Sequence, residues 1–167
     1  MKLDLKDRLF ISNQLKILEK LYPEEAAYYS KHRTAIENGY ELHYPWLVEH
    51  FYEEMSEAEC KEILDILDMY RAITFSSKNI QDLTGIDDYW LKFKGFDGNH
   101  EAKQLGYARY FIVDLERYEE LKYGMEFPTF NSHSRTLEKY RSMLNCWKNS
   151  GKSYELSRDS LISLLKA

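Results

Sequence analysis

The sequence predicts an all-α protein, a multihelical orthogonal bundle of about six to seven helices with little or no β structure. Apolar residues recur every third or fourth position in stretch after stretch, and capping and turn residues punctuate those stretches. Alternation occurs only weakly, at 89–94 (YWLKFK), and a lone strand has no ladder to join. The 167 residues fit one domain, and a break at 81–85 divides it into two expected lobes, 1–83 and 84–167.

The first helix is expected over 3–22, where Phe10, Ile11, Leu15, Ile17, Leu18 and Leu21 share one arc. Gln14 sits inside that arc. It reads as a buried amide needing partners, or as a polar group lining an internal pocket. Pro23 suits the first position of a second helix, Glu24 and Glu25 suit its dipole, and Gly39 suits its end. Tyr28, His32 and Ala35 are expected to face inward. After a connector at 40–43, Pro45 favours a short helix through WLVEHFYEEM. There His50 with Glu53 or Glu54 has helical spacing, but two ligands do not make a metal site, and a solvated acidic face is expected.

Ser56 and Glu59 form a capping-box pattern. The helix they open runs to about residue 79, with Cys60, Ile63, Leu64, Ile66, Leu67, Tyr70 and Ile73 on its core side. The stretch 95–121 is expected to be the central element, a turn at Asp97, Gly98 and Asn99 followed by one long helix. Leu105, Tyr107, Ala108, Phe111, Ile112, Leu115 and Tyr118 fall on its core-facing arc. Gly106, Tyr110 and Val113 fall on the far side. A mid-helix glycine costs about 1 kcal/mol relative to alanine and is tolerated most easily where another backbone packs close, so a second neighbour is expected, within the domain or across a subunit interface; the alternative is an exposed glycine and a scattered exposed valine. The loop 123–133 must fold back to bury rings such as Phe127 and Phe130. A helix beginning near Ser134 carries Leu137, Tyr140, Leu144 and Trp147 and stops at Gly151. Ser157 caps the last helix, and Leu156 staples to Leu161.

Hydrophobic residues make up 44% of the chain and aromatic residues 15%, which supports a packed core. A net charge of −5 argues against nucleic acid or an anionic membrane as partner, because phosphate contact needs a concentrated positive field. Cys60 and Cys146 read as buried, reduced thiols without metal spacing, with one disulfide between them as the alternative. The start MKLDLKDRLF has no apolar signal core, and no segment approaches the about 20 apolar residues of a membrane span, so the expected place is the cytoplasm. There is no phosphate-cradling glycine loop, no His-Glu-x-x-His, no Cys-x-x-Cys and no Gly-x-Ser-x-Gly. Neither a metal nor a cofactor is expected. A helix-turn-helix reading of 34–72 meets an objection, since its recognition helix would begin SEAECKEILDILDMY, without the basic or amide side chains that read bases.

The motifs ISNQ at 11–14, IENGY at 36–40, ILDMY at 66–70, FKGFD at 93–97, Glu101 with LGY at 105–107, and EKYRSML at 138–144 with Trp147 occur in order. With them the chain resembles the YfbU family of bacterial proteins over nearly its whole length, although 23–32 fits the pattern poorly. The resemblance implies a mostly helical cytoplasmic protein that self-associates, and it brings no reaction with it. Among the matched and neighbouring residues, Gln14, Asp97, Glu101, Asn131 and His133 are polar where core packing does not require polarity, so they are the ligand-site candidates. Gly106, Tyr110 and Val113 are the interface candidates. The leading functional reading is a non-enzymatic interaction or regulatory protein working as a homo-oligomer, with its protein partner open. The alternatives are a small-ligand protein or enzyme with a polar pocket, then a DNA binder.

Overall fold

Helical periodicity and capping chemistry yield six α-helices in the computed structural model, which describes residues 1–126 and 128–167. They are α1 (Leu5–Leu21), α2 (Ala26–Asn38), α3 (Glu57–Asn79), α4 (Ala102–Arg109), α5 (Leu137–Asn149) and α6 (Arg158–Lys166). Phe127 lies outside the described residues. Among those described there is no strand, only an isolated parallel bridge between Phe96 and Asn131, so the all-α expectation holds.

The chain forms two compact units, Met1–Glu54 and Met55–Ala167. The division falls well before the expected break near residue 83. The reason is α3, whose buried face (Ile63, Ile66, Leu67, Met69, Tyr70 and Ile73) lies in one cluster with residues of α4, α5 and α6, so it cannot belong to an N-terminal lobe.

In the smaller unit, Asp4 caps α1 by accepting from the Asp7 N–H at 2.8 Å, and Asp7 returns the bond in a capping box. A single 3-10 turn at Pro23–Glu25 leads into α2, which ends at Gly39 in the left-handed conformation (φ 74°). The short helix expected after Pro45 is displaced. A 3-10 segment spans Glu41–Val48, and 49–55 has no helix. The unit's buried apolar cluster is small, consisting of Leu15, Ile36 and Tyr44.

The larger unit packs α3 against α4, α5 and α6 around Tyr70, Phe93, Phe96, Tyr140 and Trp147. Tyr70 and Tyr140 meet edge to face at 5.2 Å, and burial pushes both phenols well above their ordinary pKa. The segment 89–94 is not a strand. The Tyr123 hydroxyl accepts from Phe93 N (2.8 Å), and the Tyr140 hydroxyl accepts from Lys94 N (3.1 Å), in place of a neighbouring strand. Ser157 caps α6 as expected, and Leu156 and Leu161 are both buried in the same cluster. Cys60 and Cys146 are free thiols, half-buried rather than buried.

The long helix expected to residue 121 is much shorter. After α4 the backbone widens into a π-turn over Tyr110–Asp114, closed by Leu115 N–H donating to the Tyr110 carbonyl. Glu116 (φ 53°) and Tyr118 (φ 52°) then take left-handed conformations and end it. Tertiary contacts hold the break: the Tyr118 hydroxyl donates to Asp68 at 2.6 Å, and the Arg71 guanidinium lies 3.9 Å from the Tyr118 ring centre. Tyr118 therefore reaches the core, whereas Leu115, expected beside it on a continuous helix, is exposed. Apart from its chain neighbours and its own helix backbone, no heavy atom lies within 4 Å of a Cβ built on Gly106, so within the described residues no second neighbour packs there. Tyr110 is exposed, and Val113 rests on the core.

Candidate functional site

The polar candidates meet in a knot between 95–101 and 130–137. Two backbone bonds join the segments, Phe96 N–H to the Phe130 carbonyl (2.9 Å) and Ser132 N–H to the Phe96 carbonyl (3.1 Å). Gly95 (φ 82°) makes that approach feasible, because a Cβ there would stand 1.7 Å from the Phe130 carbonyl oxygen.

Glu101 is buried, and its carboxylate accepts from Asp97 N (2.9 Å), Thr136 N (3.0 Å), Leu137 N (2.9 Å) and Thr136 Oγ1 (3.2 Å). It supplies from a distance the acceptor that the first free N–H groups of α5 need. Thr136, the residue at the N-cap, turns its hydroxyl to the Gly95 carbonyl instead (2.8 Å). Asp97 is also buried. Its carboxylate accepts from Asn99 N (3.2 Å) in an Asx turn and lies 2.5 Å from His100 Nδ1. The His100 contact, with help from the Asn99 N–H, holds the Asp97 carboxyl below the usual aspartate range. Asn131 Oδ1 accepts from Gly98 N (3.1 Å) and His133 N (3.0 Å).

The structure thus brings Asp97, Glu101 and Asn131 into one network. His133 joins it through its backbone, with an exposed residue in the left-handed conformation (φ 54°). Gln14 belongs to the other unit, where it is exposed rather than a buried amide; the buried polar residue of α1 is Ser12, which donates to Glu37 at 2.8 Å. Sequence reasoning missed two members of the knot. His100 follows Asp97 at i+3, a readable spacing. Thr136 gave no signal, because its role depends on a segment some 35–41 residues away.

Chemically, the knot is an anionic centre neutralised by backbone dipoles. Its two buried carboxylates are engaged by N–H donors, which suits them to hold structure rather than to attack a substrate. A cleft of about 370 Å³ lies alongside, lined by Lys92, Lys94, Tyr123, Phe130 and Asn131. Asp97 and Glu101 do not line it. Among the described residues, no three His, Cys, Asp or Glu side chains are grouped to hold a metal ion, and no helix is long and apolar enough to cross a membrane.

Two of the stretches that carried the sequence resemblance, FKGFD at 93–97 and Glu101, lie in this knot, and a family model for the YfbU domain matches residues 1–167. The chain belongs to the YfbU family. It is also 35% identical over 165 residues to the UPF0304 protein MJECS11 of Methanocaldococcus jannaschii, spanning 96% of this chain and 97% of that one. The stretch FKGFD at 93–97, with Glu101, has a physical role in the fold. It contains the glycine that admits the Phe130 carbonyl and the two carboxylates that bind the N–H groups around them.

Proposed function

We propose that this YfbU chain is a non-enzymatic helical interaction protein that works as a homo-oligomer in the cytoplasm. The observation that carries the reading is uncovered apolar surface. Among the described residues, fourteen large hydrophobic side chains are exposed in Met1–Glu54 and six in Met55–Ala167. At roughly 100 Å² apiece, the fourteen side chains expose about 1,400 Å² in total. A standard stable interface buries about 800 Å² per partner, so the supply suffices for self-association.

Gly106 on α4 and Tyr110 at the start of the π-turn are exposed and offer a second and smaller contact, while Val113 packs on the core. The ligand-pocket alternative is less favoured, because Asp97 and Glu101 spend their oxygens on the fold. Light scattering on the eluting protein tests the proposal. An oligomer that persists at low micromolar concentration is expected, and a monomer at tens of micromolar would overturn it.

A further inference from the structure

Helix α1 carries polarity on the side that meets α2 and an apolar stripe elsewhere. On the α2 side, Arg8 donates to the carbonyls of Ile36 and Glu37 (both 2.8 Å), Ser12 donates to Glu37, Arg33 pairs with Glu19 at 2.6 Å, and Lys16 pairs with Glu37 at 3.1 Å. Only Leu15 is a buried apolar residue of α1 there. The uncovered stripe is Phe10, Gln14, Ile17 and Leu21, with exposures of 59% for Phe10, 52% for Ile17 and 64% for Leu21. Their spacing of four, three and four residues is the heptad pattern of a helix seam. The side of α1 that meets α2 thus holds a small apolar cluster, Leu15 with Ile36 and Tyr44, flanked by polar pairs, and the heptad stripe is a second apolar face outside it.

We infer that this stripe is the seam by which α1 packs on α1 of a second copy, with the two Gln14 amides facing each other. The inference rests on the self-association reading and says where that association occurs. A second copy is the fitting occupant, because a stripe of this pattern is complementary to itself, as a two-fold interface requires. Phe10, Ile17 and Leu21 supply roughly 300 Å² of uncovered apolar area, and the other exposed apolar side chains of the same unit are available for the remainder of the about 800 Å² that one partner in a stable dimer buries. Gln14 sets the register. An amide among apolar neighbours keeps its hydrogen bonds only when the other copy's amide lies opposite, as polar seam residues do in coiled coils.

The test compares the wild type with two variants, Phe10→Glu combined with Ile17→Glu, and Tyr110→Glu. Circular dichroism is recorded for each, so that unfolding is recognised. The seam variant is expected to keep its helix content and raise the dissociation constant by at least about 100-fold, whereas Tyr110→Glu changes it by less than about tenfold. A second measurement does not depend on the seam variant folding. Gln14→Cys in a Cys60→Ser, Cys146→Ser background should cross-link to a covalent dimer under mild oxidation. An oligomeric wild type whose seam variant stays folded and associates equally well overturns this inference and leaves self-association standing, as does failure of Gln14→Cys to cross-link. A monomeric wild type overturns both.

Discussion

Replacing Glu101 by glutamine tests whether one buried carboxylate holds the start of α5 to the 95–101 loop. The substitution keeps shape and one acceptor oxygen but turns the other oxygen into an NH₂ donor facing donors. If the amide oxygen serves Thr136 N and Leu137 N, the bonds from Asp97 N and Thr136 Oγ1 are lost. Hydrogen bonds to a charged group are worth about 1.5–3 kcal/mol each, and the hydroxyl can turn away, so the expected loss is roughly 3–5 kcal/mol. That is a large part of a domain stability of about 5–15 kcal/mol. With a urea slope near 2 kcal/mol/M, the unfolding midpoint should fall by about 2 M. Glu138→Gln is the control, an exposed carboxylate in the first turn of α5, and it should move the midpoint by less than about 0.5 M. If the two variants behave alike, Glu101 is not the acceptor on which α5 depends.

Other substitutions probe the same construction. Gly95→Ala should abolish soluble folded protein, because the carbonyl oxygen 1.7 Å from the new Cβ belongs to backbone that cannot step aside; normal expression and thermal melting would contradict the close approach. Gly106→Ala has open space around it and should stabilise the helix by up to about 1 kcal/mol in a denaturant titration, unless a partner packs there, in which case association weakens by light scattering. Tyr123→Phe and Tyr140→Phe each strip the acceptor from a backbone N–H of the 93–94 segment and should cost about 1–3 kcal/mol by urea unfolding. Asp97→Asn concerns pH. A carboxyl whose folded pKa lies below its unfolded value of about 3.9 stabilises the fold above that value, and the benefit disappears as pH falls through the folded pKa. The gap between wild type and Asp97→Asn should therefore be full at pH 5 and above and close progressively below pH 4; a gap that stays constant to pH 2 would remove the His100–Asp97 account.

The helices were legible wherever a local rule decides them. Ser56 with Glu59, Gly39, Ser157 and the apolar face of α3 are written within a turn or two of themselves, and each stands as expected. Reasoning failed where partners are distant. Residues 110–121 have good helical periodicity, yet Asp68 and Arg71 capture Tyr118 and the helix opens into a π-turn and stops. Periodicity also placed Gln14 in the arc of α1 but could not tell which part of a broad arc faces α2. At the knot, residue type alone marked Asp97, Glu101 and Asn131, because polarity without a packing reason is visible in one dimension. Asp97 serves a near neighbour, Asn99 N, within its own turn, whereas the use of Glu101 and Asn131 as acceptors was not visible, since Thr136 N, Leu137 N and Gly98 N come from other segments of the chain.

The sequence by itself determined the helical class, most of the starts and stops, the YfbU resemblance and the absence of a recognisable catalytic motif, all of which follow from short-range spacing and composition. Tertiary structure alone decided that α3 belongs with the C-terminal residues, that the long central helix breaks, and that Glu101 accepts from the backbone N–H groups at the start of α5. It also decided that α1 carries its ion pairs on the α2 side and leaves a heptad stripe uncovered. Each of those depends on which surfaces meet, and a helix with apolar residues around a wide arc is compatible with several meetings until packing selects one.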